Sequence, residues 1–365
     1  MLGLFALIMF CTIIAYKIQI RTGGFQTVRI ELHRNPQIKF MYVLIIFIVT
    51  LFSGLRTTYN DTSTYIYAYT LLDKNDIRIN ELLEPYGGFE IYQKLIKHYV
   101  SENPQALLII TAVILNVIFI GFIGKYSVQF AQSIYLYLTG LYIFGMAGMK
   151  QALAIAFSLF AIDNMLRRRY IRALLWLAFA CTFHPYIICL IILPLLKKKA
   201  WDKKTAIILL FVIICLSNLD TFLALTSTVG KDYTVEEITS STVNPMRVLV
   251  ESMPIIISFM ARRRINGSQN ELLILGVNMS IIRFFFIAIG LFMNPIYFAR
   301  VGTYFSSVSA VIVPLTLMYA FQDLKESRIC YLGYYFLYTV YFILDTTKLG
   351  SIGVFTDLFH HISIL

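Results

Sequence analysis

The stretch QALLIITAVILNVIFIGFI, residues 105–123, contains no charged side chain. As an α-helix rising about 1.5 Å per residue it would be about 28 Å long, close to the about 30 Å apolar core of a bilayer. Within lipid such a run must be helical, because no water is present to satisfy exposed backbone groups. The stretch therefore predicts a transmembrane helix.

Similar apolar runs recur throughout the 365 residues, of which 58% are hydrophobic and 14% charged, with a mean hydropathy of +0.73. This composition is more apolar than that of an ordinary soluble domain. We expect an all-α, polytopic transmembrane helical bundle that forms a single integral membrane domain over residues 1–365. About ten full spans are predicted, near 2–16, 39–54, 105–123, 129–146, 150–166, 205–219, 247–261, 271–293, 303–320 and 330–344.

The net charge of +11 comes from short basic clusters between the apolar runs. This distribution is typical of membrane orientation and argues against nucleic acid as a partner. If residues 17–39 face the cytoplasm, 20 of the 31 basic residues fall in cytoplasmic loops. Two long outer segments result, 55–104 and 220–246. The first contains PYGGFEIYQKLIKHYV, which predicts an amphipathic helix on the membrane surface.

The apolar run 171–196 has basic clusters on both sides, RRRYIR before it and KKKAWDKK after it. A single crossing would put one cluster outside, so we predict a re-entrant hairpin of two half-helices. The break is expected at Phe183-His184-Pro185, because proline disfavours helix at the preceding residue. Two thin crossings or one kinked span are the alternatives.

Common catalytic motifs are missing from the sequence. There is no P-loop, GxGxxG, HExxH or GxSxG, so ATP hydrolysis, dinucleotide redox chemistry and the usual hydrolase schemes have no motif support. The five cysteines form no CxxC pair and lie in or beside apolar runs. We expect neither a metal site nor a cofactor.

Four cations fall near the outer level of the predicted bundle and could bind phosphate or pyrophosphate. They are Arg56, Lys150, Arg283 and Arg300. Arg283 lies inside a predicted span, where an arginine is costly and a functional or pairing role is expected. The alternative for Arg283 is an ion pair with Glu251 on a neighbouring span.

Three residues at the same level could accept a proton from an acceptor hydroxyl: Asp61, Glu90 and His184. Asp61 or Asn60 could instead cap the helix that TSTYIYAY begins. His184 could instead be a core residue hydrogen-bonded to a carbonyl.

Tyrosines are frequent in the outer segment and could stack on sugar rings, although an interfacial aromatic belt is the simpler alternative. They are Tyr59, Tyr65, Tyr67, Tyr69, Tyr86 and Tyr92. Gln151 beside Lys150 and Tyr304 near Arg300 are further candidate sugar contacts.

Several motifs occur in a characteristic order: GLRTTYNDTSTYIYAY, GGFEIYQKL, KQALAIAFSLFAIDNMLRRRY, FACTFHPYIICLIILPLL and ARVGTYF. In order and spacing, from about residue 40 to 315, they resemble the EpsG family of bacterial exopolysaccharide polymerases, relatives of the Wzy O-antigen polymerases. The family usually has Arg-Gln where this chain has Lys150-Gln151, which keeps the charge but loses the bidentate fork.

The resemblance implies a GT-C-like, metal-independent glycosyltransferase in the bacterial cytoplasmic membrane. It would polymerise undecaprenyl-pyrophosphate-linked oligosaccharide repeat units on the outer face into exopolysaccharide, capsule or O-antigen. Membrane lipid, a chain-length regulator and a flippase of the same pathway are the other implied partners.

The implied roles divide the candidates into three groups. The four cations would hold pyrophosphate, and Asp61, Glu90 and His184 would act as base or orient the sugar. The sugar contacts would be Tyr59, Tyr65, Tyr69, Tyr86, Gln151 and Tyr304. The main alternative is a transporter or flippase for the same lipid-linked sugars, although such carriers usually show internal repeats that this sequence lacks. A lipid-linked ligase or other glycosyltransferase is another alternative, and a polysaccharide acyltransferase fits less well.

Overall fold

A computed structural model describes residues 2–23, 28–32, 34–217, 243–292, 295–322, 325 and 327–348. These residues form helices and connecting turns without a strand, as the sequence predicts. The helices of the first half are α1 (Leu2–Arg21), α2 (Val28–Leu32), α3 (Pro36–Gly54), α4 (Thr62–Leu71), α5 (Gly87–Tyr99), α6 (Pro104–Tyr126), α7 (Phe130–Thr139), α8 (Leu141–Ala147) and α9 (Met149–Leu166). They are followed by α10 (Tyr170–Phe183), α11 (Leu193–Leu196), α12 (Lys203–Ser217), α13 (Pro245–Met260), α14 (Arg262–Gly267), α15 (Glu271–Ile289), α16 (Pro295–Tyr304), α17 (Ser309–Phe321) and α18 (Ser327–Lys348).

Six of the described helical segments are long and apolar enough to cross a membrane, rather than the ten predicted. They are Gly3–Arg21, Pro36–Gly54, Pro104–Tyr126, Phe130–Ala147, Met149–Leu166 and Glu271–Ile289. Shorter apolar helices cover Tyr170–Phe183, Pro185–Leu196, Ser309–Phe321 and Arg328–Leu344. The multi-pass, all-helical class is confirmed, with fewer full-length spans than apolar runs.

Helix breaks account for part of this difference, although not in the run 129–146. That run is divided at Gly140 between α7 and α8, but the two helices together still form one of the six segments, Phe130–Ala147. The predicted span 303–320 is divided by turns between Tyr304 and Ser309, so its first residues belong to α16. In 171–196 the α-helix ends at Phe183 and a 3₁₀ helix, Pro185–Ile192, follows, so the predicted break at Phe183-His184-Pro185 is confirmed.

The predicted outer segment 55–104 is largely helical. It contains α4, a 3₁₀ helix at Ile79–Leu83, and α5, which corresponds to the predicted amphipathic helix. Helix α5 buries Phe89 and Ile96 on one face and exposes Glu90 and Leu95 elsewhere. Most of the second predicted outer loop, 220–246, lies outside the described residues.

Two compact units divide the chain. Unit 1 comprises Met1–Ala161, Ala178–His184 and Phe342–Leu365, and unit 2 comprises Ile162–Leu177 and Pro185–Tyr341.

In unit 1, α3 packs along α6, and α1 packs on α3 and α7. A Cβ on Gly54 would lie 3.1 Å from the Cα of Ile109, so α3 and α6 approach closely there. Buried hydrogen bonds link the helices as well: Tyr42 Oη donates to the carbonyl of Ile120 at 2.9 Å, and Tyr137 Oη donates to Asn116 Oδ1 at 2.8 Å.

In unit 2, α15 contacts α13, α16 and α17. Asn278 on α15 is buried, and its amide donates to the carbonyls of Leu196 and Lys199 at 2.7 and 2.8 Å. The same side chain accepts from the backbone N–H of Trp201 at 3.1 Å. One buried amide therefore fixes the basic 196–201 loop against α15.

Candidate functional site

The start of α5 depends on two glycines that follow Tyr86. Tyr86 is the N-cap and adopts the left-handed conformation, with φ 67°. A Cβ on Gly87 would overlap the carbonyl oxygen of Glu81, and one on Gly88 would lie 2.6 Å from the Cβ of Thr182. Only glycine allows the first turn of α5 to lie this close to the end of α10.

This close approach brings three predicted site residues together. The rings of Tyr86 and His184 meet edge to face with centroids 5.1 Å apart. The ammonium of Lys150, on the first turn of α9, lies 5.1 Å from the centroid of the Tyr86 ring and 5.3 Å from that of Phe89. These distances are typical of cation–π contacts, which stabilise the ammonium without neutralising it.

Arg56 follows the end of α3 and is only 2% exposed. Its Nε donates to Thr62 Oγ1 at 3.2 Å and its Nη1 donates to the carbonyl of Ser53, whereas Nη2 is buried without a hydrogen-bond partner among the described residues. Burial lowers the pKa of the guanidinium to about 10, and nearby Tyr142, Tyr65 and Tyr59 oppose that effect. Arg56 is therefore a buried cation at neutral pH.

An aromatic bridge joins Arg56 to the Lys150 contacts. The rings of Tyr65 and Phe89 have centroids 5.8 Å apart, Tyr65 interacts electrostatically with Arg56, and Phe89 contacts Lys150. We refer to the resulting set within unit 1 as the cation–aromatic cluster: Arg56, Tyr65, Tyr86, Phe89, Lys150 and His184.

Glu90 is exposed, and its carboxylate lies 3.0 Å from the ammonium of Lys94, a residue that was not among the predicted site residues. Lys94 is buried and also donates to both carboxylate oxygens of Glu81, at 2.8 and 2.9 Å. Burial lowers the pKa of Lys94, but the hydrogen bonds to Glu81 and Glu90 outweigh it and the net pKa is raised. The i,i+4 spacing of Glu90 and Lys94 was the available sequence signal.

Asp61 occupies the N-cap position of α4 but makes no side-chain capping hydrogen bond. Asn60 precedes it with φ 49°. The side-chain capping alternative is therefore wrong for α4, and Asp61 is exposed.

Among the predicted sugar contacts, Tyr69 is fully buried and its hydroxyl donates to the carbonyl of Ser101 at 2.6 Å. Tyr92 shares a hydrogen bond of 2.9 Å with Thr111. Tyr59 and Tyr65 are half-buried, and Gln151 is buried on α9.

The remaining candidates belong to unit 2. Arg283 on α15 donates to Glu251 on α13, so the predicted ion pair between these two residues is present. Arg300 on α16 is exposed and Tyr304 is buried. A Cβ on Gly302 would lie 3.2 Å from the carbonyl oxygen of Arg283, so α16 packs on α15 at that level.

Among the described residues, no group of three His, Cys, Asp or Glu side chains could hold a metal ion. The site is built instead from cations, aromatic rings and single acid–base groups.

The helices and this site define a multi-pass membrane protein with a cation–aromatic site. Residues 39–356 match the model of the EpsG family, which covers most of the chain, so the chain belongs to the EpsG family. Membership of this family of exopolysaccharide polymerases indicates a polysaccharide polymerase of glycosyltransferase type. No curated protein and no solved structure matches the chain significantly.

Proposed function

We propose that this protein joins undecaprenyl-pyrophosphate-linked oligosaccharide repeat units into a polysaccharide at the outer face of the bacterial cytoplasmic membrane. The growing chain breaks its bond to the pyrophosphate oxygen, and its anomeric carbon forms a new bond to a hydroxyl of the acceptor unit. The hydroxyl proton passes to a base, and undecaprenyl pyrophosphate leaves. No nucleotide is consumed, because the pyrophosphate ester already activates the sugar.

The observation that carries this proposal is the contact of Lys150 and His184 with the same ring, that of Tyr86. It gives one location a cation for the departing diphosphate, an imidazole for the hydroxyl proton and an aromatic face for a sugar. Stabilisation of developing charge is usually the largest catalytic contribution in such reactions. We assign Lys150 to the diphosphate and His184 to the proton, with Asp61 and Glu90 as the alternative bases.

Glu90 is less suited to the role of base than His184. Its carboxylate already has an ion-pair partner in the ammonium of Lys94, 3.0 Å away. Glu90 fits better as a group that orients the sugar, since it remains exposed beside the start of α5.

Arg56 acts on the diphosphate through its electric field. Because Arg56 is only 2% exposed, it cannot bind phosphate through two parallel hydrogen bonds as an exposed arginine does. Its charge still acts on the diphosphate, because a charge in a low-dielectric environment acts over longer distances than in water. Its hydrogen bonds to Ser53 and Thr62 also fix the turn between α3 and α4.

Arg283 and Arg300 stay proposed diphosphate contacts. Arg283 gives one nitrogen to Glu251 and retains further donors, and Arg300 is exposed. We propose sugar contacts for Tyr59, Tyr65, Tyr86, Gln151 and Tyr304, whereas the buried, hydrogen-bonded Tyr69 supports its neighbours.

The test is reconstitution of the purified full chain in proteoliposomes with a lipid-linked repeat unit and no nucleotide or added divalent metal. Gel analysis of the product should give a ladder of chain lengths. Redistribution of the substrate across the bilayer without a ladder would instead support a flippase. Transfer of preformed chains to an acceptor other than a repeat unit would support a ligase.

Orientation is tested separately by cysteine labelling in a variant without native cysteines. Thr58→Cys and His184→Cys should react with a membrane-impermeant reagent added from outside the cell. Exclusive labelling of Thr58→Cys from the cytoplasmic side would overturn the proposed outer location of the site.

A further inference from the structure

Unit 1 contains a second basic region, separate from the cation–aromatic cluster. A cavity of about 670 Å³ lies between α2, the start of α3 and the end of α6. Arg56 follows the other end of α3, about 28 Å away for nineteen residues at about 1.5 Å each. The two sites are therefore separated by about one apolar bilayer thickness.

Among the described residues, four basic ones line this cavity, Arg29, Arg34, Lys39 and Lys125, and no acidic one does. With the other described residues, the side chains of Arg29, Arg34 and Lys39 form no hydrogen bond or ion pair. Glu31 lies on the same short helix α2 but does not line the cavity. The cavity is therefore suited to an anion.

A basic cavity in unit 2 shows the opposite arrangement. It is lined by Arg168, Lys197 and Lys198 together with Glu271. The carboxylate of Glu271 lies 3.9 Å from Arg168 and 3.5 Å from Lys197, so those cations already have an internal counter-ion. In the α2–α3–α6 cavity, Arg29, Arg34 and Lys39 have no such counter-ion among the described residues, so this cavity is the better candidate for binding an external anion.

The other wall of the cavity is apolar. Tyr42 satisfies its hydroxyl by donating to the Ile120 carbonyl, and its ring packs where a Cβ on Gly124 would lie 3.0 Å away. A Cβ on Gly121 would meet no atom within 4 Å, so space remains beside α6.

Val43 lines the cavity and continues into an exposed apolar stripe with Phe40 and Phe47, spaced three and four residues apart along one face of α3. A ligand with a phosphate head and a hydrocarbon chain matches both the basic wall and the apolar wall of the cavity.

We propose that this cavity binds the headgroup of one anionic diacyl phospholipid, with an acyl chain along Val43 and Phe47. The lipid belongs to the leaflet opposite Arg56, which is the cytoplasmic leaflet if Arg56 faces outside. Basic pockets between membrane helices on that side are suited to anionic headgroups. Free phosphate carries the same kind of negative charge but has no hydrocarbon chain to contact the apolar stripe.

Native mass spectrometry of the full chain in a neutral detergent tests this. Phosphatidylglycerol should bind as one tight equivalent, and phosphatidylcholine much more weakly. The variant Arg29→Gln/Arg34→Gln/Lys39→Gln should bind phosphatidylglycerol about 100-fold more weakly, because each basic residue contributes about fivefold at close range. The matched control Lys203→Gln/Lys204→Gln/Arg263→Gln removes three exposed cations outside the cavity and should bind as the wild type does.

Equal binding of both lipids, or an unchanged affinity in the cavity variant, would overturn the proposal. Displacement of phosphatidylglycerol by inorganic phosphate would also overturn it, in favour of a free-phosphate site. If the triple variant does not fold, Gly121→Leu provides the second test, because it fills the open side of the cavity and keeps all four charges. It should lower phosphatidylglycerol binding at least tenfold, and wild-type affinity would contradict the lipid assignment.

Discussion

Arg56 and Arg283 are both expected from the sequence to bind pyrophosphate, yet their surroundings differ. Arg56 is buried beside hydroxyls and tyrosine rings and has no carboxylate partner among the described residues. Arg283 is ion-paired with Glu251 on the neighbouring helix. An arginine without an internal counter-ion leaves positive potential for a substrate, whereas a paired arginine is largely neutralised before any substrate arrives.

The number of cations near one membrane level therefore does not identify a binding site. The available charge depends on which helix lies opposite, and that is a property of packing. The cation–aromatic cluster of unit 1 is the better candidate for the reaction centre because its lysine and its histidine contact the same tyrosine ring.

Of the variants that compare the two arginines, those of Arg56 should have the largest effect on chain extension. Arg56→Ala removes the buried charge and both of its hydrogen bonds, so chain extension should fall at least about 100-fold, the cost typical of losing one electrostatic stabiliser. Arg56→Lys keeps the charge and should retain intermediate activity. The measurement is ladder length in proteoliposomes, with size-exclusion chromatography to confirm folding. Full-length ladders from folded Arg56→Ala would contradict the proposed difference between Arg56 and Arg283.

Arg283 should show separable structural and functional effects. Arg283→Gln leaves Glu251 partly buried without its partner and should lower stability by about 3 kcal/mol. Adding Glu251→Gln to Arg283→Gln should restore most of the lost Tm in detergent, because no uncompensated charge remains. We expect the double variant to remain defective in chain extension. If ladders recover together with the Tm, Arg283 has only a structural role.

The glycine pair at the start of α5 gives an intermediate effect. Gly88→Ala forces α5 away from Thr182 and should lower the free energy of unfolding by about 2 kcal/mol, as overpacking does. The variant should also give a shorter ladder, because the ring of Tyr86 moves away from that of His184. Gly333→Ala is the matched control, since a Cβ there meets nothing within 4 Å. Equal behaviour of the two variants in Tm and ladder length would remove the proposed role of the glycine pair.

The smallest effect distinguishes buried from exposed ion pairs. Glu81→Gln weakens the contact to the buried Lys94, which keeps Glu90 as a partner, and should lower stability by about 1 kcal/mol. Glu102→Gln disrupts the exposed pair with Lys74 and should leave the Tm unchanged. Thermal unfolding in detergent measures both. An equal loss in the two variants would show that burial does not control these pairs.

Most helices could be predicted from apolar runs, and the break before Pro185 could be predicted from proline chemistry. The breaks at Gly140 and between Tyr304 and Ser309 were missed, because the apolar composition continues across both. An apolar run therefore indicated burial more reliably than it indicated one continuous span.

The candidate site was predictable by residue type but not by pairing. Lys150, Tyr86 and His184 were each proposed, but their contacts join three distant segments through the close packing of Gly88 on Thr182. Lys94 was missed because a lysine on an amphipathic helix normally faces water. Its burial depends on Glu81, which the 3₁₀ helix brings into reach.

The most direct test of the central claim is chain extension by Lys150→Ala in proteoliposomes, beside Lys204→Ala, which removes an exposed lysine elsewhere. With equal amounts of folded protein, Lys150→Ala should give no product beyond the starting unit, Lys150→Arg should restore the ladder, and Lys204→Ala should match the wild type. A wild-type ladder from Lys150→Ala would contradict the assignment of the cation–aromatic cluster as the polymerase site.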